Sequence, residues 1–163
     1  MRESEILEEI KSSPGYPSRE RFAKGPVCVI ECLEEIPCNP CGEVCPFNAI
    51  KVGKPITNLP KLIEDRCTGC GLCIAACPGL AIFVVNLNFS SEEASISMPY
   101  EFLPLPDIGQ QVDVLNREGV YICKGRVIKV SEGEDNTRVV TVAVPKKFYE
   151  FARGIRLISD MVR

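Results

Sequence analysis

Seven of the ten cysteines fall into two runs, Cys38-Asn-Pro-Cys41-Gly-Glu-Val-Cys45-Pro46 and Cys67-Thr-Gly-Cys70-Gly-Leu-Cys73-Ile-Ala-Ala-Cys77-Pro78, in a chain of 163 residues without histidine. The second run is C-x2-C-x2-C-x3-C-P, the spacing that wraps three thiolates round one iron–sulfur cubane and sends the fourth to another. On that rule Cys67, Cys70 and Cys73 share a centre with Cys45, while Cys77 joins Cys38 and Cys41. The chemistry open to such centres is the storage and passage of single electrons.

Displaced by 32 residues, the chain lies on itself: Cys38 on Cys70, Cys41 on Cys73, Cys45 on Cys77, Pro46 on Pro78, Ala49 on Ala81, Ile50 on Ile82 and Val52 on Val84. Coincidences of this kind mark a duplicated unit. Only the leading cysteine fails, because Glu35 stands opposite Cys67. With these motifs, residues 27–86 resemble the bacterial-type two-cluster ferredoxins. The resemblance implies a pseudo-twofold pair of [4Fe-4S] clusters and an electron-transfer role.

The first cluster then lacks a fourth thiolate, and only Cys32 or Cys28 lies near enough in sequence. Cys32 is separated from Cys38 by Leu33-Glu-Glu-Ile-Pro37, five residues where the regular motif has two, and the extra three can loop out without moving Cys38, Cys41 or Cys45. Cys28 would sit mid-strand with its side chain fixed by the pleat. The expected ligands are therefore Cys32, Cys38, Cys41 and Cys77 for one cluster and Cys45, Cys67, Cys70 and Cys73 for the other, with a three-iron cluster as the alternative if Cys32 does not serve.

Two other uses of cysteine compete. A secreted disulfide framework would suit an even count in a short chain, but the acidic start Met1-Arg-Glu-Ser-Glu-Ile-Leu-Glu-Glu-Ile has no apolar signal region, so a cytoplasmic, reducing location is expected. Four-cysteine zinc ribbons use two C-x2-C pairs some 15 to 20 residues apart; here four cysteines sit within eleven residues and each run ends in Cys-Pro. The formal charge of −3 counts the thiols as neutral; each oxidised cluster with four thiolates adds about −2, so the loaded chain sits near −7. Such a surface has no basic excess to displace counterions from nucleic acid, and no apolar stretch is long enough to span a membrane.

The elements that must position these ligands follow in chain order. Residues 3–11 carry Ile6, Leu7 and Ile10 at helical spacing among acidic residues, an amphipathic helix or a frayed terminus. Ser12–Ser18, with Pro14, Gly15 and Pro17, reads as a linker, and Arg19, Arg21 and Lys24 after it as a solvated basic face or a docking handle. Val27–Cys32 is rich in β-branched residues and reads as the first strand. After each Cys-Pro a short helical turn feeds a strand through Ala49-Ile50 and Ala81-Ile82, and these apolar walls, by excluding water, would lower cluster potentials. Pro37, Pro40, Pro46 and Pro78 stiffen the loops, and Gly42, Gly69 and Gly71 suit a backbone that curls round a cluster.

Residues 87–102 read as a polar connector. Beyond them Gln111–Leu115, Val120–Cys123, Val127–Val130 and Val139–Val144 alternate or run apolar between turn residues, as antiparallel strands do. Cys123 reads there as a small buried apolar residue. The stretch from Pro145 to Ile158 reads as a helix capping the lobe, with Lys146, Lys147, Arg153 and Arg156 on offer to an acidic partner.

The expected architecture is α+β: an N-terminal extension over 1–26, a ferredoxin-like two-cluster domain over 27–86, the connector, and over 103–163 a β-rich docking domain, a small antiparallel β-barrel or sheet ending in a helix. Removal of the last is expected to leave the cluster spectrum intact. No catalytic residues are expected, since no histidine, nucleotide loop or nucleophile–base pair occurs. Extensions of this size favour an electron-transfer subunit of a larger oxidoreductase over a free ferredoxin carrier or a binding module with structural clusters. The segment Ile30-Glu-Cys32-Leu-Glu-Glu-Ile36-Pro37-Cys38-Asn-Pro40-Cys41, with Cys45-Pro46, resembles the ferredoxin-like small subunits of FAD-dependent amino-acid dehydrogenases acting on proline or hydroxyproline. That resemblance implies flavoprotein partner subunits, with the flavin in the partner.

Overall fold

A computed structural model describes residues 3–33, 35, 38–55, 58–132 and 137–158. The internal repeat appears as geometry. Pro40–Val44 forms α3 and Leu72–Ala76 forms α4, each starting just after a motif cysteine, Cys38 or Cys70, and each ending at the cysteine that precedes proline. After each comes a left-handed residue, Asn48 at φ 55° and Leu80 at φ 54°. Strands β2 (Ile50–Lys51) and β4 (Ile82–Asn86) follow, paired with β3 (Lys61–Leu62) and β1 (Val27–Ile30) respectively. The register repeats as well: Leu62 lies opposite Ile50 as Ile30 lies opposite Ile82. Just beyond, Ile63 N–H donates to the Ala49 carbonyl and Glu31 N–H to the Ala81 carbonyl. The duplication thus reaches back through strands whose sequences do not match, because a ladder constrains backbone pairing more tightly than side-chain identity.

The chain before β1 is built into this unit. Helix α1 (Glu3–Lys11) buries Leu7 and Ile10 and is too short to persist alone. Docking stabilises it by about 1.5–3 kcal/mol per buried side chain, with Lys11 paired to Glu150 at 2.7 Å and Glu3 to Arg117 at 2.7 Å. The expected linker does more than connect: the Pro14 carbonyl accepts from Leu62 N–H and the Gly15 carbonyl from Ile30 N–H, joining the two sheets. A Cβ on Gly15 would fall 2.6 Å from Ile30 Cβ, so only glycine allows this approach.

From β4 the chain continues into β5 (Glu93–Tyr100), β6 (Gln111–Leu115), β7 (Tyr121–Glu132), β8 (Arg138–Pro145) and β9 (Gly154–Leu157). Together with β1 they make one antiparallel sheet in the order β1-β4-β5-β8-β7-β6-β9. The sheet is open; of the expected barrel or sheet, the sheet is what forms. β1 and β9 remain its edges, because β9 pairs with β6 and does not reach β1. The expected connector contains β5, which buries Ala94 and places Ile96 and Met98 in a single core shared with Val29, Ile30, Val85, Val112, Val127 and Val142.

The expected C-terminal helix is also corrected. Lys146–Phe148 makes one 3-10 turn, and Gly154–Leu157 is strand. Gly154 is a poor helix residue, Ile155 and Leu157 alternate, and the unpaired edge of β6 gives their backbone a ladder to join. Leu33 and Glu35 are described, but Glu34, Ile36 and Pro37, on which the looped spacer was expected to turn, lie outside the described residues.

This continuity reverses the expectation for truncation. Ending the chain before residue 103 would remove β8, the partner of β5 along its whole length, and expose an apolar edge beside the cysteine-bearing half. Such a chain is expected to retain less than half of the full-length iron after anaerobic reconstitution, measured by iron and sulfide analysis. Full retention would show that β1 and β4 need no support from the rest of the sheet.

Candidate metal centres

Eight of the cysteines singled out from spacing line two cavities, four to each. Cys45, Cys67, Cys70 and Cys73 line one, together with Cys28, Phe47, Ala49, Ile50 and Leu72. Cys32, Cys38, Cys41 and Cys77 line the other, with Ile30, Pro40, Pro60, Pro78 and Ile82. Each run of cysteines therefore contributes to both cavities. Its Cys-Pro cysteine leaves the helix that holds its neighbours, since Cys45 and Cys77 are extended, at ψ 112° and 114°. The two candidates for the odd position separate cleanly: Cys32 stands with Cys38, Cys41 and Cys77, and Cys28 stands at the opposite cavity.

Local structure explains the placement of the Cys67 loop. A 3-10 turn over Glu64–Arg66 delivers Cys67 in an extended conformation, and Gly69 at φ +75° turns the loop back. A Cβ on Gly69 would lie 2.6 Å from Pro26 Cβ and 2.8 Å from the Pro26 carbonyl, so this loop packs directly on the start of β1. Gly42, expected to play the same part in the first run, lies inside α3.

The sulfur atoms already receive backbone donors. Ala49 N–H donates to Cys45 Sγ and Ala81 N–H to Cys77 Sγ, both at 3.4 Å, so the repeat supplies one such bond to each cavity. Cys28 N–H donates to Cys67 Sγ at 3.3 Å, and Cys28 Sγ lies 3.6 Å from Cys73 Sγ. That last contact holds a proton on Cys28: its hydrogen bond to Cys73, with burial, pushes its pKa well above the ordinary thiol value, while acceptance of the bond lowers Cys73. Burial pushes Cys41 up to about 11 and also raises Cys67 and Cys38. Thiols that resist ionisation by themselves gain most from a metal that supplies the missing positive charge.

Apolar walls, four of the expected ligand sulfurs in each cavity and N–H groups aimed at sulfur fit an iron–sulfur cluster, which the eight cysteines named would hold. Among the described residues no three His, Cys, Asp or Glu side chains converge as one metal ion would require; the sulfurs instead surround a space. Cys123 is buried in β7, away from both cavities, where burial raises its pKa to about 11.

Four groups outside the cysteine motifs, Arg21, Glu31, Arg117 and Arg153, gain a place that sequence reasoning missed. Arg21 of α2 (Arg19–Phe22) is buried, with its guanidinium bonded to the Glu64, Gly25, Pro26 and Cys67 carbonyls. Glu31, next to Cys32, is buried between Arg117 at 2.6 Å and Arg153 at 2.7 Å. Arg153 is thus engaged inside the fold, leaving Lys146, Lys147 and Arg156 of the expected basic set. Nothing in the charge pattern distinguishes Arg21 from the exposed Arg19 and Lys24; only the packing of the extension does.

Residues 36–81 match the 4Fe-4S dicluster domain family. The chain is 40% identical to an uncharacterized ferredoxin of Methanocaldococcus jannaschii over 72 residues, 42% of this chain and 42% of that one. It is 28% identical over 128 residues to Protein Pixie of Drosophila melanogaster, which covers 71% of this chain but 20% of the relative. It is 50% identical over 38 residues to one component of the Na(+)-translocating ferredoxin:NAD(+) oxidoreductase complex of Acetobacterium woodii, 23% of this chain and 11% of the relative. The chain therefore spans less than half the length of each of these relatives. No solved structure matches it significantly. The chain carries a 4Fe-4S dicluster ferredoxin domain, and no described helix is long and apolar enough to cross a membrane.

Proposed function

We propose that this chain is the electron-relay subunit of a cytoplasmic oxidoreductase complex, passing single electrons through two [4Fe-4S] clusters and performing no substrate chemistry itself. The observation that carries the reading is the division of eight cysteines into two sets of four around adjacent apolar cavities, each set drawing on both runs. The relatives named as a ferredoxin and as a component of an oxidoreductase complex support it. Bound there, each cluster supplies one-electron storage. The chain's own residues hold and shield: Phe47, Ile50 and Leu72 wall one cavity, and Ile30, Pro60 and Ile82 the other. The prolines at 40, 46 and 78 limit loop movement, which keeps reorganisation small when charge changes.

The partner we favour is a flavin-containing amino-acid dehydrogenase of the proline or hydroxyproline type, on the strength of the segment from Ile30 to Cys45-Pro46. A two-electron donor and one-electron sites match when two sites stand side by side. Co-purification from the native source, followed by anaerobic addition of proline or hydroxyproline, tests both levels. Flavin-bearing partner chains and bleaching of the cluster absorbance on addition of substrate are expected. Exchange of electrons with many unrelated reductases and no stable partner would favour a free carrier. A partner without any redox cofactor would favour structural clusters.

A further inference from the structure

The repeat equips the two cavities alike, with one N–H···S bond each from Ala49 and Ala81. Residues that the repeat does not duplicate add further contacts to the Cys67 cavity. From β1, Cys28 gives the Cys67 cavity a second backbone N–H, at 3.3 Å from Cys67 Sγ, and a thiol 3.6 Å from Cys73 Sγ. From α2, Arg21 is only 7% exposed and places its guanidinium 2.7 Å from the Cys67 carbonyl. Its four acceptors are all neutral carbonyls, at 2.7 to 3.3 Å. The nearby Glu64 carboxylate accepts from the Ser18 N–H at 2.9 Å and hydroxyl at 2.6 Å and has no hydrogen bond to Arg21, although the Arg21 charge helps hold its pKa below the ordinary value.

A buried cation bonded only to carbonyls acts on whatever anion lies behind them. A [4Fe-4S] core with four thiolates carries about −2 oxidised and −3 after gaining one electron. Positive charge and sulfur-directed donors stabilise the −3 state more than the −2 state, which raises the reduction potential. Among the described residues the lining of the Cys38 cavity carries no charged side chain, being Ile30, Pro40, Pro60, Pro78, Ile82 and the neutral Asn58 beyond its cysteines, and the buried Arg117 and Arg153 near Cys32 are paired with the Glu31 and Glu3 carboxylates.

We propose that Arg21 and Cys28 are potential-setting residues for the cluster held by Cys45, Cys67, Cys70 and Cys73, making it the site where the first electron comes to rest. Arg21 also positions the Cys67 loop through its carbonyl. The inference rests on the reading of both cavities as [4Fe-4S] sites, and it gives the relay a direction: electrons entering at the Cys38 cavity run downhill to the Cys67 cavity.

The test is an anaerobic reductive titration with dithionite, followed by low-temperature EPR on the reconstituted full chain. Two midpoints are expected, at least roughly tenfold apart in equilibrium constant, or ~59 mV for a one-electron couple. Cys70→Ser, which perturbs one signal, assigns the higher midpoint to the Cys67 cavity. Arg21→Gln is expected to lower that midpoint about tenfold and leave the other in place. Cys28→Ala, which keeps the backbone N–H, is expected to lower the same midpoint about threefold with iron and sulfide at wild-type counts. If Arg21→Gln loses iron, Cys28→Ala decides alone. An unmoved higher midpoint, a shift confined to the lower one, or assignment of the higher midpoint to the Cys38 cavity overturns the inference. A wild-type chain that takes up no iron would instead sink the cluster reading itself.

Discussion

Cys32→Ala is expected to strip the reconstituted protein of up to half of its roughly eight irons, or to leave a three-iron centre, while Cys28→Ala keeps them all. The two cysteines lie four residues apart, and both are near enough in sequence to serve. What separates them is the edge of the sheet. β1 ends at Ile30, so Cys28 is clamped by the ladder opposite Val84, whereas Cys32 has left it. The ladder points Cys28 at the cavity of Cys45, Cys67, Cys70 and Cys73, which has four thiols without it, and Cys32 joins three that otherwise lack a fourth. A cubane missing one thiolate sheds iron at that corner, so the three-iron EPR signal is the specific readout. Loss of iron from Cys28→Ala, with Cys32→Ala at full count, would reverse the assignment.

Glu31→Gln is expected to destabilise the chain by about 3–5 kcal/mol, the usual cost of leaving a buried charge without its partner. The Arg153 side chain is 2% exposed and that of Glu31 6%. The Gln amide oxygen can still accept one hydrogen bond from Arg153 but carries no charge, and among the described residues the Tyr149 and Ala152 carbonyls and the Phe83 ring that otherwise surround it are neutral as well. At about 2–4 °C per kcal/mol for a chain of this size, the midpoint of thermal unfolding should fall by roughly 6–20 °C. Because Glu31 adjoins Cys32 and its two arginines come from the β6–β7 turn and the segment before β9, the same change should speed iron loss from the Cys38 cavity first. A double variant, Glu31→Leu with Arg153→Met, is expected to recover part of the stability, since Arg153 then leaves no unpaired charge and Arg117 keeps its pairing with Glu3. A Glu31→Gln midpoint within a degree of wild type would show the network to be idle.

The pH dependence follows from the same carboxylate. Burial pushes the Glu31 pKa up, but the Arg153 charge and the Arg117 bonds outweigh burial and hold it below the ordinary value. A carboxylate depressed in the folded state contributes stability above its unfolded pKa, about 4.3, and loses it as pH falls through the lower folded value. Wild type should therefore lose its advantage over Glu31→Gln as the pH drops below about 4, and the two curves should converge there.

The local features of this protein were determined by residue type and spacing. Short-range rules carry that far: C-x2-C-x2-C-x3-C-P dictates which backbone atoms face a common point, and the repeat at 32 residues dictates that the point occurs twice. Helix α1, strand β1, most strands beyond residue 110 and the buried character of Cys123 were legible by the same means, from periodicity and β-branched residues. Long-range packing decided the rest. A polar alternating segment became β5 because β4 and β8 both present it a ladder, and an apparent terminal helix became β9 because the edge of β6 was open. Arg21 and Arg153 have the same composition signature as the exposed Arg19 and Arg156, and only the fold chose which guanidinium to bury against carbonyls or a carboxylate. A charge's partner is set by three-dimensional approach over tens of residues, 122 in the case of Arg153 and Glu31, a separation at which spacing along the chain carries no information.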